Sequence, residues 1–205
     1  MSSRRITSSA FFIYRGGRIK VQEKREIRSH IKEQFEKLEH KKYREKEKRV
    51  QEQLFQSSLW QNAQTVGITI SMRNEMDTTA IIEKGWEQQK RIAVPKVDPT
   101  HHALDFYCLT SFHQTKAAFA GISEPDPAIT STIPAEHFDL MIVPGMAFDK
   151  EKYRIGFGGG YFDRLLQGSS AQTCAVLFDF QLYEHIPRED HDIPLHWLIT
   201  ETNIL

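Results

Sequence analysis

The sequence predicts an α/β sandwich of three layers, a mostly parallel sheet with helices on both faces. Three observations carry this reading. Short β-branched or apolar runs alternate with segments of helical apolar spacing. Several of the short runs are apolar almost throughout, as strands buried on both faces require. With 40% apolar and 11% aromatic residues over 205 positions, the chain can bury a core without disulfides or a structural metal.

Residues 1–19 hold four arginines and no acid. They are set aside as an extension, poorly ordered or read from a mis-assigned start, with an organellar transit peptide as the competing reading. A single α/β domain is expected over residues 20–205. From Lys20 the pattern turns helical: Ile27, Ile31, Phe35 and Leu38 share one face, and Lys24 and Arg28, four apart, share one side. A second helix is expected from Tyr43 to Leu59 with Val50, Leu54 and Phe55 inward. Thr65–Ser71 (TVGITIS) reads as a buried strand. Asp77 and Thr78 suit the cap of a helix bearing Ile81, Ile82 and Trp86. Arg91–Val97 is the next strand, and Leu104–Leu109 alternates like a strand at the sheet edge. Residues 121–135, with three prolines, read as loop. Phe138–Val143 is a buried strand running into Pro144-Gly145, and a helix starts at Tyr161 directly after three glycines. Thr173–Phe178 and Leu195–Thr200 complete the strands. In such sheets ligands bind beyond the carboxyl ends of the strands. The informative loops are therefore 71–77, 95–97, 144–160 and the segment from Asp179 onward.

Lys+Arg and Asp+Glu are both 27, yet the charge is divided. Residues 20–49 hold 12 basic and 7 acidic residues, and residues 50–205 hold 11 and 20. A basic front on an acidic body suits cations supplied to an anionic ligand, a nucleic-acid arm, or a solvated helix face. No apolar run approaches the ~18 residues of a membrane span. Two cysteines, Cys108 and Cys174, make no framework and suit reduced thiols in a cytoplasmic protein.

The strongest chemical feature is Arg154-Ile155-Gly156-Phe157-Gly158-Gly159-Gly160-Tyr161-Phe162-Asp163-Arg164. Glycines before a helix let main-chain N–H groups approach an anion, the helix adds its positive end, and Arg154 and Arg164 flank the loop. The expected product is a phosphate cradle, without the GK[ST] ending of a Walker loop and too far from its strand for a Rossmann fingerprint. Glu75, after the first buried strand, suits either of two readings: a carboxylate that holds the amino-pyrimidine edge of a pterin with two hydrogen bonds, or a solvated loop acid. None of the nine histidines has metal-ligand spacing. Asp192, in His191-Asp192-Ile193-Pro194, lies in a loop before the last strand.

The run VPGMAFDKEKYRIGFGGGYFDR at 143–164 resembles the signature of the 5-formyltetrahydrofolate cyclo-ligase (5,10-methenyltetrahydrofolate synthetase) family. KREIR at 24–28, ITISMRNEMDT at 68–78, VPKV at 94–97, GISEP at 121–125 and HDIP at 191–194 follow in the family's order. The resemblance spans about residues 20–200. It implies conversion of 5-formyltetrahydrofolate and ATP to 5,10-methenyltetrahydrofolate, ADP and phosphate, with magnesium. The formyl oxygen of an amide leaves poorly; phosphorylation turns it into a leaving group, and N10 then closes the ring. The resemblance implies ATP contacts at Lys24, Arg25, Glu26, Ile27 and Arg28 and along Arg154, Ile155, Gly156, Phe157, Gly158, Gly159, Gly160, Tyr161 and Phe162. It implies folate contacts at Ile70, Glu75 and Phe157 to Tyr161, catalytic roles for Arg154 and Tyr161, and magnesium at Asp163 and Asp192. A monomer in the cytoplasm, without nucleic-acid or membrane partners, is expected, with a dimer left open.

Two rival classes stand beside it. A sugar-phosphate isomerase or acyl-CoA transferase on a similar scaffold would want a catalytic Glu or Lys at the crevice rather than a triple-glycine cradle. A nucleic-acid binder would want stacking aromatics on the basic helix, where acids are interleaved instead.

Overall fold

The computed structural model describes residues 17–72, 74–117 and 123–205. The expected extension lies outside them up to residue 16, as do Gly121 and Ile122 of the GISEP motif. Helix α1 (Gly17–Lys37) starts three residues ahead of the expected Lys20. It buries Ile31 and Phe35 and leans Ile27 on the same core. Helix α2 (His40–Gln56) buries Val50 and Leu54 but stops before Leu59. There Ser57 is extended; its hydroxyl donates to the Leu54 carbonyl at 2.6 Å and accepts from the Trp60 amide at 3.3 Å. One serine thus ends α2 and caps the short α3 (Ser58–Asn62).

Strand β1 (Thr65–Ile68) is buried at every position. It ends three residues before the expected Ser71 because its continuation leaves the ladder: Thr78 Oγ1 donates to the Thr69 carbonyl at 2.7 Å and accepts from the Ser71 amide at 3.0 Å. Helix α4 (Thr79–Glu87) follows, with Asp77 Oδ1 accepting from the Thr79 amide. The remaining main-sheet strands are β2 (Arg91–Asp98), β3 (Ala103–Cys108), β6 (Ser131–Thr132), β7 (Leu140–Ile142), β10 (Gln172–Val176) and β12 (Trp197–Ile199). Two small ribbons complete the set. One pairs β4 (Thr115–Ala117) with β5 (Ser123–Pro125); the other joins β8 (Ala147–Asp149), β9 (Arg154–Ile155) and β11 (Leu182–Tyr183).

The seven-stranded order is β12-β10-β7-β1-β2-β3-β6. The five strands from β12 to β2 run parallel, and β3 and β6 add antiparallel pairs. The expectation that Leu104–Leu109 is the sheet edge is therefore overturned. Within the supposed loop 121–135, Ser131–Thr132 covers it, and Ser123–Pro125 pairs with Thr115–Ala117. Both segments are too short for periodicity to reveal, and their prolines hid them.

Alternation along the strands feeds two cores. Val66, Ile68, Ile92, Val94, Leu140, Ile142 and Cys174 meet α1 to α4 on one face. Ala93, Met141, Val143, Ala175 and Leu198 meet Phe138, Phe148 and Leu166 on the other, which carries, among the described residues, the single α-helix α5 (Tyr161–Leu166). Gly67 lies on this second face, where a Cβ would stand 2.9 Å from the Phe138 ring. Among the described residues no helix is long and apolar enough to cross a membrane.

Candidate functional site

From β1 the chain moves to β2 on one side, and from β7 to β10 on the other, so the order reverses between the adjacent β1 and β7. Such a switch point opens a crevice at the carboxyl ends of parallel strands. A cavity of about 530 Å³ lies there. Thr69 after β1, Val94, Pro95 and Val97 of β2, and Pro144 after β7 form its floor; α1 and the segments 154–163 and 189–192 form one wall, and Ile70, Met72 and Glu75 another.

The wall on α1 follows from helical spacing. Lys24 and Arg28 border the cavity, one turn apart. Arg25 and Glu26 are exposed, and Ile27 turns to the core. The helix thus brings two of the five expected ATP contacts to the site. Arg28 Nε donates to the Gly156 carbonyl at 2.8 Å, tying α1 to the glycine loop, and its partial burial works against its charge. Lys24 Nζ lies 3.1 Å from Asp192 Oδ2 and 3.8 Å from Glu189 Oε1. Asp192 is fixed by the Glu189 amide, which donates to Oδ2 at 2.8 Å.

Arg154, on β9, has a side chain only 3% exposed. Its Nη2 donates to Asp163 Oδ1 at 2.9 Å and its Nη1 to the Ile193 carbonyl at 3.1 Å. Burial draws its pKa down, and Asp163 and Asp192 oppose that. A buried guanidinium needs such partners, because an unpaired charge in the interior costs several kcal/mol. Lys24 and Arg154 are therefore each paired with an anion while Arg28 rests on a carbonyl, and the two aspartates expected at magnesium are two of those anions.

The loop between β9 and α5 explains its glycines. Gly158 has φ +106° and Gly160 φ +65°, backbone that L side chains rarely adopt. Gly159 is excluded from bearing a side chain for another reason: a Cβ there would sit 2.7 Å from the Tyr161 ring. Gly156 to Gly160, Tyr161, Phe162 and Asp163 all border the cavity, and Phe157 is exposed at its mouth. Arg164, read from sequence as a flanking fork, does not. Its Nε and Nη2 donate to the His102 and Gly159 carbonyls, and it stacks over Tyr161 with its Cζ 5.2 Å from the ring centroid. It braces the loop from behind.

The opposite wall carries Ile70, Met72 and Glu75. Glu75 Oε2 accepts from the Met72 amide at 2.7 Å. Its Oε1 is shielded from solvent and has no hydrogen-bond partner among the described residues. Burial pushes this carboxyl up to about 7, with the Met72 amide pulling the other way. A shielded acceptor without a donor is costly unless a ligand supplies one.

Sequence reasoning missed Glu189, whose carboxylate shares Lys24, and Glu124, which borders the cavity while accepting from the Val97 amide and from Lys96 Nζ. Glu124 had a signal in the SEP triplet; Glu189 had none beyond its nearness to Asp192. Among the described residues no group of three or more His, Cys, Asp or Glu converges as a metal site.

The model of the 5-formyltetrahydrofolate cyclo-ligase family matches residues 20–201. The 5-formyltetrahydrofolate cyclo-ligase of Escherichia coli K12 is 33% identical over 147 residues, covering 69% of this chain and 80% of that protein. The mouse 5-formyltetrahydrofolate cyclo-ligase is 25% identical over 190 residues, covering 87% and 93%. The NMR structure of Aquifex aeolicus 5,10-methenyltetrahydrofolate synthetase superposes with a TM-score of 0.78 at 30% identity, over 88% of this chain and 91% of that one. The match runs through every element that borders the cavity, and the chain belongs to the 5-formyltetrahydrofolate cyclo-ligase family.

Proposed function

We propose that the cavity takes both substrates side by side, the folate ring against the Glu75 wall and the ATP triphosphate between α1 and the glycine loop. The activity is that of the family: ATP-dependent conversion of 5-formyltetrahydrofolate to 5,10-methenyltetrahydrofolate. The observation that carries the placement is the unpartnered Oε1 of Glu75, a residue that borders the same cavity as Lys24, Arg28 and Arg154. A carboxylate with an acceptor to spare suits the N–H donors of an amino-pyrimidine edge. Lys24, Arg28 and the backbone of 156–160 suit phosphate.

The chemistry asks the protein chiefly for positioning and charge compensation. The formyl oxygen attacks the γ-phosphorus and ADP leaves. N10 then attacks the formyl carbon, and the C–O bond breaks as phosphate departs, carrying off the N10 proton. Glu75 orients the pterin so that the formyl group points across the cavity. Lys24 and Arg28 hold the triphosphate in line, Tyr161 and Phe157 border the ring closure, and Arg154 offers its guanidinium to charge developing on the transferred phosphoryl group. The donor set also fits magnesium, which takes oxygen ligands and needs only one or two carboxylates when phosphate oxygens and water complete its shell. Asp163 and Asp192 would hold it, and the ion would supply positive charge to the triphosphate.

The test is absorbance of the methenyl product from purified protein with 5-formyltetrahydrofolate and Mg-ATP. Product that requires both substrates is expected. Its absence with folded protein overturns the reading.

A further inference from the structure

Glu75 is steered from a helix that does not touch the cavity. Tyr43, in the first turn of α2, reaches the loop after β1 and makes two hydrogen bonds there. Its hydroxyl donates to the Glu75 carbonyl at 3.1 Å and accepts from the Asp77 amide at 2.8 Å. The two bonds straddle Met76, whose side chain is buried. The base of the same loop is closed independently: Ser71 and Thr78 exchange amide-to-hydroxyl bonds of 3.0 and 3.2 Å, and the Ser71 hydroxyl donates to Asp77 Oδ1. At Asn74 the backbone turns through φ +67°. A loop fixed at its base but bent at its tip needs a second anchor there, and Tyr43 supplies it.

We infer that Tyr43 is a positioning residue for the folate site, acting through the backbone of residues 75–77 to hold the Glu75 carboxylate against the cavity. The inference rests on the assignment of Glu75 to the folate ring. Packing and anchoring are separable in this side chain. The ring lies edge-on to Phe178 at 5.3 Å, a contact that phenylalanine retains. Burial is the first cause that pushes the phenol up to about 12, so the hydroxyl keeps its proton, and its donor role, throughout the neutral range. Tyr43 does not border this cavity; with Met72 and Glu75 it lines a second one of about 500 Å³, to which no substrate group is assigned.

The experiment is a double-mutant cycle of Tyr43→Phe and Glu75→Gln in the methenyl-forming assay, with calorimetric affinities for 5-formyltetrahydrofolate alone. Tyr43→Phe is expected to raise the folate KM and Kd roughly tenfold, the scale of one or two lost hydrogen bonds, with the ATP KM within about twofold of the parent. The double variant should bind folate no worse than Glu75→Gln alone, because Tyr43 acts through Glu75. Amide exchange at residues 74–78 should quicken in Tyr43→Phe. If Glu75→Gln weakens folate and Tyr43→Phe does not, the anchor is refuted and the Glu75 assignment survives. Equal shifts in both KM values, or full additivity, reduce Tyr43 to general packing and overturn the inference. Unchanged folate affinity in Glu75→Gln overturns the assignment and the inference together.

Discussion

The two walls of the cavity are built on opposite terms. On the α1 side, cations are already partnered: Lys24 by Asp192 and Glu189, Arg154 by Asp163, and Arg28 by the neutral Gly156 carbonyl. On the Glu75 side, a loop pinned by hydroxyls and amides presents one carboxylate oxygen with nothing to accept. Ion pairs can exchange partners when a polyanion arrives, since each cation trades one carboxylate for phosphate at modest net change. An unpartnered, shielded acceptor has nothing to exchange; it gains a bond only when a donor comes. The first arrangement suits a substrate brought in with its own cation. The second suits a planar ring recognised by its edge.

The largest effect expected on the charged wall comes from Gly159→Val. The new Cβ meets the Tyr161 ring at 2.7 Å, so the ring or the loop must shift where phosphate is expected. Calorimetry should find ATP binding weakened at least about a hundredfold, with circular dichroism unchanged. The cause is bulk alone, because left-handed backbone belongs to the neighbours Gly158 and Gly160 and not to Gly159.

A smaller effect separates the walls by pH. With its carboxyl pushed to about 7 from an ordinary 4.5, Glu75 still holds its proton at about pH 6 in the ligand-free protein. Donors on the folate favour the ionised form. Folate affinity should therefore fall as pH drops through 7, by up to about tenfold per unit, and binding at about pH 6 should release a proton. Glu75→Gln should flatten this profile and leave ATP affinity as it was. The sign for stability is the reverse of a salt-bridged acid. A raised carboxyl makes the folded state bind more protons than the unfolded one. This group's contribution therefore declines as pH rises from 4.5 towards 7.

Asp163→Asn should move the magnesium concentration for half activity upward by a few-fold, and Asp192→Asn by less. Since Asp163 also compensates the buried Arg154, its variant should lose a few degrees of melting temperature as well. A thermal shift without a magnesium shift would assign Asp163 to Arg154 alone.

How much of this the sequence disclosed follows from the range of each interaction. The parallel sheet was legible because its strands are continuous apolar runs, and the α1 wall because Lys24 and Arg28 are related by one helical turn. The glycine loop was legible because its backbone demands glycine locally. The partners were not. Arg154 and Ile193 are 39 residues apart and Tyr43 and Glu75 are 32 apart, so only the closed fold reveals that Arg154 is buried or that a helix anchors the pterin wall. Arg164 misled because a basic residue beside a phosphate loop looks like a ligand. Its direction, toward the His102 carbonyl, depends on the turn between β2 and β3. β6 escaped because two residues carry no pattern.

The division of the cavity is tested most directly by measuring both KM values for Arg28→Ala and Glu75→Gln in one methenyl-forming assay. The account predicts a crossed result. Arg28→Ala should raise the ATP KM about tenfold or more, as expected for a lost charge-assisted contact, with little change for folate. Glu75→Gln should do the reverse. Parallel rises in both KM values for both variants would contradict the division and leave a single, undivided site.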